Sequence, residues 1–162
     1  TYTSNKTIVA TQSLLSSIGK RPIVLKREVP GFVASRLQAA LLREALWLIE
    51  NHVSSPKDID AAIEDGLGRR WAVAGVLEVL ELAGWDLMLG ITSELFPHLD
   101  STTQAPESLK QLVSLGRIGA KSGKGFYDWT PQSVDRLKQR IATALERIEQ
   151  WHTDSLDPTS RF

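Results

Sequence analysis

The glycine-rich segment Gly119–Gly125 (GAKSGKG) is the part of this sequence that most resembles a phosphate-binding loop. A P-loop requires a glycine five residues before the glycine of its Gly-Lys pair, and a serine or threonine after the lysine. Ile118 and Gly125 occupy these positions, and the preceding segment is predicted to be a helix rather than a strand. We therefore favour a tight turn that brings three aromatic residues onto the core, namely Phe126, Tyr127 and Trp129. Contact of Lys121 or Lys124 with a ligand phosphate remains an open alternative.

Gly66 and Gly68 form a second short glycine motif. A dinucleotide-binding fingerprint has a further glycine three residues later and follows a β-strand. Trp71 stands at that position and a helix is predicted before the motif, so this sequence contains no such fingerprint. Binding of a nicotinamide cofactor would need a site supplied from elsewhere.

The three histidines, His52, His98 and His152, do not combine into a metal-binding or catalytic group. None has a second candidate ligand at helical spacing, and none pairs with a residue that could orient it as a base. The sequence contains no cysteine, which excludes disulfides, thiolate metal sites and thiol nucleophiles. We predict no metal site, and we interpret His52 and His152 as cations at helix C-termini.

Polar residues on two predicted helices could line a cleft. Glu78 and Glu81 lie three residues apart on an otherwise apolar helix, where they form either a solvated stripe or a polar pair facing a cleft. Ser35 lies in the first turn of another helix, directly after the Pro30-Gly31 break. Free backbone N–H groups in such a turn can bind an anion or a carbonyl oxygen. A simple capping role explains Ser35 equally well.

The elements that carry these residues are predicted to be almost entirely helical. Apolar residues recur three and four positions apart, and capping residues stand at most of the predicted starts. The predicted helices cover residues 4–18, 32–52, 55–68, 75–95, 106–116 and 131–151. Arg21–Glu28 (RPIVLKRE) is rich in β-branched residues and is the one strand candidate. Because this strand has no partner in the sequence, we expect it to pair with a second copy or to pack as irregular chain.

Composition and charge indicate an ordinary globular domain. The 162 residues are 42% hydrophobic and 23% charged, and 19 basic residues balance 19 acidic ones. Proteins that bind nucleic acid or a membrane surface usually carry a basic excess, so neither class is favoured. The sequence has no membrane-spanning apolar run and no signal-peptide character, so we expect a cytoplasmic protein. It does not begin with Met, and we expect a fragment or a processed product.

Four segments together resemble the C-terminal domain of the 3-hydroxyacyl-CoA dehydrogenase family, which includes short-chain 3-hydroxybutyryl-CoA dehydrogenases and lambda-crystallin. The segments are PGFVASRLQAALLREAL, SSPKDIDAAIEDGLG, RRWAVAGVLEVLELAGWD and GRIGAKSGKGFYDW. Their order and spacing are specific, and the resemblance covers about residues 21–129. It implies an all-α fold, similar to the C-terminal domain of 6-phosphogluconate dehydrogenase, with one short N-terminal strand.

The resemblance also implies a division into domains. Residues 1–29 would be the last helix and strand of a preceding Rossmann-like domain, and residues 30–129 the helical substrate and dimerisation domain. Residues 130–162 would be a C-terminal helix with a frayed tail. The preceding domain would bind NAD and carry a catalytic His–Glu pair. No catalytic or cofactor-binding residue is therefore expected in this chain, which we predict to be inactive alone.

The implied parent enzyme oxidises 3-hydroxyacyl-CoA to 3-oxoacyl-CoA in fatty acid metabolism, and it forms a homodimer through the apolar faces of residues 32–52 and 75–95. Ser35 would contact the substrate carbonyl, at a position where the family usually has Asn. Gly75, Val76 and Glu78 would border the substrate pocket, although the family usually has Gly-Pro-x-Glu there. These two departures bear on the substrate rather than on the fold.

Two other functions remain as alternatives. The chain could be an autonomous helical dimerisation module without catalysis, and the heptad-like seam after Pro131 is typical of such a module. It could instead belong to a sugar-acid dehydrogenase similar to gulonate dehydrogenase, because GLGRRWAVAG resembles a segment of that branch. The Gly-Lys-Gly-Phe-Tyr segment is absent from that branch, so the acyl-CoA substrate is favoured.

Overall fold

Helices form the regular structure of the described chain. A computed structural model describes the backbone of residues 3–154 and the side chains of residues 3–151. The α-helices are α1 Asn5–Ser17, α2 Ala34–Glu50, α3 Pro56–Ala61, α4 Gly68–Trp71, α5 Val76–Ala83, α6 Trp85–Leu95, α7 Glu107–Ser114 and α8 Pro131–Asp154. A π-helical segment, Ala62–Leu67, joins α3 to α4, and 3-10 turns cover Phe96–His98 and Ala120–Ser122. The predicted all-α fold class is confirmed. The predicted frayed tail and the side chain of His152 lie outside the described residues.

Side-chain caps explain why two of the helices begin where the sequence predicts. Ser55 Oγ accepts a hydrogen bond of 3.2 Å from the backbone N–H of Asp58, and Pro56 occupies the first position of α3. Proline is favoured there because its missing N–H would have no helical partner. Thr130 Oγ1 likewise accepts a bond of 3.2 Å from the N–H of Ser133 at the start of α8. Each cap satisfies a donor that the helix itself leaves unpaired.

The end of α2 is a Schellman motif with a histidine in the left-handed position. His52 has a φ of 56°, and its N–H donates to the Ile49 carbonyl at 3.1 Å. The N–H of Val53 donates to the Leu48 carbonyl at 2.9 Å, which completes the motif. His52 therefore has the helix-end position that the sequence predicts, in a place where glycine is the usual residue.

The strand predicted at Arg21–Glu28 does not form in the described chain, and the segment is irregular, which is one of the two outcomes expected for it. These residues have no regular secondary structure, and the isolated β-bridges of the described chain lie at Gly119–Lys124 and Lys124–Asp128. A strand is stable only when its N–H and C=O groups pair with a neighbouring strand. The described part of the chain supplies no such neighbour, so the β-branched run remains irregular.

The helix predicted to close at Gly66 and Gly68 instead continues to Trp71. The N–H of Gly68 donates to the carbonyl of Ile63, five residues earlier, as in a π-helix. A Cβ atom on Gly68 would lie 2.8 Å from that carbonyl oxygen. The glycine therefore permits the wider turn and does not end the helix.

The single helix predicted over residues 75–95 is two helices. Gly84 separates α5 from α6 with a φ of 96° and a ψ of 135°. Residues with a Cβ rarely adopt such a conformation, whereas glycine adopts it readily. The apolar periodicity of residues 76–95 does not reveal this break, because both helices are strongly apolar.

The chain divides into two compact units, residues 1–42 and 43–162, and the boundary falls within α2. The first unit holds α1, the irregular segment and the start of α2. In the second unit, Leu46 is the one large apolar side chain among the described residues that is buried, with 3% of its surface exposed. None of the described helices combines the length and apolar content needed to cross a bilayer. The domain boundaries predicted at residues 29 and 129 stay predictions.

Candidate functional site

Three of the predicted pocket residues lie together at the start of α5. Glu78 Oε2 accepts a hydrogen bond of 2.5 Å from the backbone N–H of Gly75, and Val76 is the first residue of the helix. The carboxylate therefore folds back over the helix N-terminus, where negative charge is favoured. A Cβ on Gly75 would lie only 3.0 Å from Glu78 Oε2, so glycine makes room for this contact. This capping hydrogen bond holds the Glu78 side chain against the backbone of Gly75.

Glu81, the other carboxylate on α5, is also held locally. Its Oε1 accepts a hydrogen bond of 3.1 Å from Trp85 Nε1, across the Gly84 break. This contact ties the end of α5 to the start of α6. Glu78 and Glu81 thus each accept a hydrogen bond from a residue three or four positions away. Neither forms an ion pair with a basic residue of the described chain.

Ser35 lies in the first unit, as the second residue of α2. The preceding turn contains two residues of positive φ, Gly31 at 79° and Phe32 at 50°. The Phe32 N–H donates to the Val29 carbonyl at 3.1 Å, and Arg36 Nη1 donates to the Pro30 carbonyl at 3.4 Å. The Ser35 hydroxyl forms no hydrogen bond with residues 3–42, so a capping role is not seen within this unit. The joint site of Ser35 with the α5 residues stays a prediction.

The glycine-rich loop uses its own backbone groups internally. The N–H of Gly119 donates to the Lys124 carbonyl at 2.8 Å, and the N–H of Lys124 donates back at 3.2 Å. Ser122 Oγ accepts a bond of 3.0 Å from the N–H of Ile118 and donates to carbonyls of the loop. A P-loop instead directs such N–H groups at a phosphate. The arrangement supports the interpretation of this segment as a tight turn.

The prediction that the aromatic residues after the loop pack onto the core is wrong for two of them. Phe126 is 41% exposed and Tyr127 is 38% exposed, whereas Trp129 is half-buried and contacts the Tyr127 ring edge-on. Tyr127 has a polar partner instead, because its hydroxyl donates a hydrogen bond of 2.7 Å to Asp60 Oδ2. A phenol that is bonded to a carboxylate keeps its polar tip away from an apolar core.

Two polar contacts link α3 and the π-helical segment Ala62–Leu67 to the C-terminal part of the chain. One is the Tyr127–Asp60 hydrogen bond, and the other is an ion pair of 3.2 Å between Arg140 Nη2 and Glu64 Oε1. Partial burial, together with the nearby carboxylate of Asp60, raises the pKa of Tyr127 to about 12. Sequence reasoning missed these pairs because their partners are 67 and 76 residues apart and no local signal links them.

A second set of carboxylate contacts joins the C-terminal half of α2 to the first turn of α7 and to the loop before it. Glu50 Oε1 accepts a hydrogen bond of 2.6 Å from the backbone N–H of Ser108, which lowers the pKa of Glu50. Glu44 Oε2 accepts a bond of 2.9 Å from the N–H of Asp100. The backbone N–H of Thr102 in turn lowers the pKa of Asp100. Glu44 and Asp100 thus accept hydrogen bonds from backbone N–H groups of the loop, and Glu50 accepts one from the first turn of α7.

The described residues contain no group of three or more His, Asp or Glu side chains that could hold a metal ion. They do contain a shallow groove of about 420 Å³ along one face of α8. The groove is lined by Arg136, Gln139, Arg140, Thr143, Ala144 and Arg147. Three guanidinium groups therefore lie side by side along this groove.

Comparisons with known proteins assign this chain to a family. Residues 31–129 match the family model for the C-terminal domain of 3-hydroxyacyl-CoA dehydrogenase. A 3-hydroxyacyl-CoA dehydrogenase of Gibberella moniliformis is 45% identical over 154 residues, which cover 91% of this chain and 42% of that protein. An L-carnitine dehydrogenase of Pseudomonas putida is 38% identical over 115 residues, which cover 68% of this chain and 36% of that protein.

A solved structure shares the fold closely. The crystal structure of 5-formyl-3-hydroxy-2-methylpyridine 4-carboxylic acid 5-dehydrogenase, described as an NAD⁺-dependent dismutase, superposes with a TM-score of 0.86. The two are 34% identical, and the match covers 91% of this chain and 49% of that one. The enzyme of that name from Mesorhizobium japonicum is likewise 34% identical over 148 residues, 91% of this chain and 48% of the relative. This chain thus spans less than half the length of these relatives. The predicted relationship is confirmed, and the chain belongs to the 3-hydroxyacyl-CoA dehydrogenase family, whose C-terminal domain it contains.

Proposed function

We propose that this chain is the helical part of an NAD-dependent dehydrogenase that oxidises the C3 hydroxyl of a 3-hydroxyacyl-CoA to a ketone. The observation that carries the proposal is the continuous family match over residues 31–129. Relatives named for this substrate class support it, namely the dehydrogenase of Gibberella moniliformis and the 3-hydroxyadipyl-CoA dehydrogenase of Escherichia coli, which is 34% identical. A cytoplasmic location is part of the same proposal.

The residues described here do not fit a dinucleotide. The backbone N–H groups of the glycine-rich loop are used within the loop, and Gly66 and Gly68 lie in a continuous helical stretch. The NAD site and the base that removes the hydroxyl proton therefore belong, in this proposal, to residues outside this sequence. The expected inactivity of the chain alone follows from the same observation.

The contribution of this chain is to complete the substrate site. The Ser35 hydroxyl would donate a hydrogen bond to the substrate carbonyl. Gly75, Val76 and Glu78 would border the pocket, and the short Glu78–Gly75 contact would keep the carboxylate turned toward the helix rather than toward substrate. Positioning of this kind accelerates a reaction by holding the reacting atoms in the correct geometry.

A homodimer through the helical region is the second part of the proposal. Large apolar side chains of α5 and α6 are exposed in the single chain, including Leu77, Leu82, Leu87 and Leu89. Exposed apolar surface of this extent marks an interaction site. We favour a second copy of this chain as the partner of this surface, because in a two-fold symmetric dimer the same apolar patch of each subunit is buried against the other.

A dehydrogenase for a small hydroxy acid is the second candidate function. Relatives named for L-carnitine and for a pyridine carboxylate match this chain about as well as those named for CoA thioesters. The test is to read the coding sequence upstream of Thr1 and to assay the protein encoded by the complete reading frame. NAD reduction would be followed with 3-hydroxybutyryl-CoA, L-carnitine and a sugar acid in parallel.

Preferred turnover of the CoA thioester, together with an upstream Gly-x-Gly-x-x-Gly motif, would support the proposal. Preferred turnover of either acid would transfer the assignment to the second candidate. A start codon immediately before Thr1 would favour an autonomous helical module and contradict the dehydrogenase assignment. Robust binding of NADH to the 162-residue chain would contradict the claim that the cofactor site lies elsewhere.

A further inference from the structure

One face of α8 carries a row of arginines that the proposed function does not yet use. Arg136, Arg140, Thr143 and Arg147 are spaced by four, three and four residues, so their side chains leave the helix within a narrow stripe. All four are exposed and line the groove of about 420 Å³ described above. Asp135, Glu146 and Glu149 of the same helix fall outside this stripe by helical spacing, whereas Asp154, the last residue of α8, shares the helical phase of Arg136.

The charge of this arginine face is only partly neutralised. Arg136 and Arg147 form no ion pair with the described residues, and Arg140 pairs with Glu64 at 3.2 Å. Both members of that pair are largely exposed, so the pair contributes little stability and can exchange for a stronger partner. A guanidinium group binds phosphate through two parallel hydrogen bonds, which makes arginine the preferred residue for this ligand.

The spacing of the arginines fits a ligand with two separate phosphate groups. With a rise of about 1.5 Å per residue, Arg136 and Arg140 are about 6 Å apart along the helix, and Arg140 and Arg147 about 10.5 Å. A coenzyme A molecule carries a diphosphate and, on the same nucleoside, a separate 3′-phosphate. Nucleic acid is a poorer candidate, because basic residues would extend over a longer surface and the chain has no net charge.

We propose that the arginine face of α8, formed by Arg136, Arg140, Thr143 and Arg147, binds the phosphates at the nucleotide end of a CoA thioester. This inference rests on the proposed function, and it names the part of the substrate that this helix would hold. L-carnitine and pyridine carboxylates carry no phosphate. A phosphate site on α8 would therefore separate a CoA-dependent enzyme from relatives that act on small acids.

The test is isothermal titration calorimetry of the protein with CoA, 3′-dephospho-CoA, pantetheine and inorganic phosphate. The variant is Arg136→Gln combined with Arg147→Gln, and the matched control is Lys138→Gln, which removes a cation from the opposite side of the same helix. The proposal expects CoA to bind, dephospho-CoA to bind more weakly and pantetheine not to bind. It also expects the double variant to lose at least tenfold in CoA affinity, while Lys138→Gln binds as the unmodified protein does.

Four results would overturn the inference, and they separate it from the proposed function. Equal CoA binding by the double variant and the unmodified protein would exclude the arginine face but leave the CoA substrate intact. Absence of CoA binding, combined with turnover of L-carnitine by the protein of the complete reading frame, would exclude both. Inorganic phosphate binding as tightly as CoA would show a general anion site. Dissociation of a dimer by the double variant, seen by sedimentation, would assign the face to a second copy instead.

Discussion

Tyr127 and Asp60 form a hydrogen bond of 2.7 Å although 67 residues separate them in the sequence. Asp60 lies on α3, and Tyr127 follows the glycine-rich loop, so the bond joins two segments that share no local signal. The neighbouring ion pair between Glu64 and Arg140 joins the π segment to α8 in the same way. These contacts hold the C-terminal part of the chain against the helical segment that ends at Trp71.

The Tyr127 phenol is expected to ionise at unusually high pH. Its pKa of about 12 lies above the ordinary 10.0, so its contribution to folding is complete below pH 10 and is lost as the pH rises toward 12. Phenolate absorbance during alkaline titration measures this directly. The sequence has two tyrosines, and Tyr127→Phe should leave only the ionisation of Tyr2. Ionisation of both phenols together near pH 10 in the unmodified chain would contradict the assignment.

Replacement of Gly68 by alanine should destabilise the π segment. The new Cβ would lie 2.8 Å from the Ile63 carbonyl oxygen, and overpacking of this kind costs about 1–3 kcal/mol. Gly66→Ala is the matched control, because a Cβ there meets no atom within 4 Å and alanine favours the helix by about 0.5–1 kcal/mol. Urea unfolding of the two variants measures the difference. Equal effects of the two substitutions would show that the π turn does not depend on Gly68.

Acid should weaken the contact between α2 and the start of α7. The Ser108 N–H lowers the pKa of Glu50, so the stabilising contribution is complete above the ordinary value of 4.5 and is lost as the pH falls through the lower folded value. Glu50→Gln should therefore flatten the pH dependence of the unfolding midpoint below pH 4.5. Glu94→Gln, at an exposed position of α6, should leave the acid profile unchanged. Identical profiles for Glu50→Gln and the unmodified protein would argue against this linkage.

Charged residues on α5 and α6 should weaken the proposed dimer. Leu82 is 91% exposed and Leu89 is 69% exposed in the single chain, and burying one leucine contributes about 1.5–3 kcal/mol. Combining Leu82→Glu with Leu89→Glu should raise the dimer dissociation constant at least tenfold, because a symmetric interface contains each substitution twice. Leu115→Glu, at a position 70% exposed beyond α7, is the control. Sedimentation equilibrium would reject the interface if the unmodified protein is monomeric or if both variants behave alike.

The sequence predicts helix starts well because the capping signals are local. The helices predicted to begin near residues 4, 55 and 131 do begin there in the structure, and Ser4, Ser55 and Thr130 cap them. Breaks within helices are less predictable, since Gly84 ends one helix whereas Gly68 lies within a continuous helical stretch. The two glycines differ in backbone conformation, which residue type alone does not specify. The strand predicted at Arg21–Glu28 failed for a related reason, because strand formation depends on a partner rather than on propensity.

The candidate site was only partly accessible to sequence reasoning. Gly75, Val76 and Glu78 cluster because they are near neighbours in the sequence. The structure adds that the Glu78 carboxylate caps the N-terminus of α5. The role of Ser35 at a substrate carbonyl stays a prediction that came from family resemblance. The groove on α8 is not evident from the heptad-like apolar spacing of this helix, because its arginines lie on a different face.

The π segment also changes the rotational phase of everything that follows it. A turn that closes five residues back contains one residue more than its α-helical equivalent, and one residue corresponds to about 100° around the helix axis. Arg69, Arg70 and Trp71 therefore point in directions that a helical wheel drawn from Pro56 assigns incorrectly. Deleting one residue of this segment would rotate these three side chains to a different side of the helix while preserving its composition. The length of the segment thus decides which surface the two arginines present, provided that Gly68 permits the π turn.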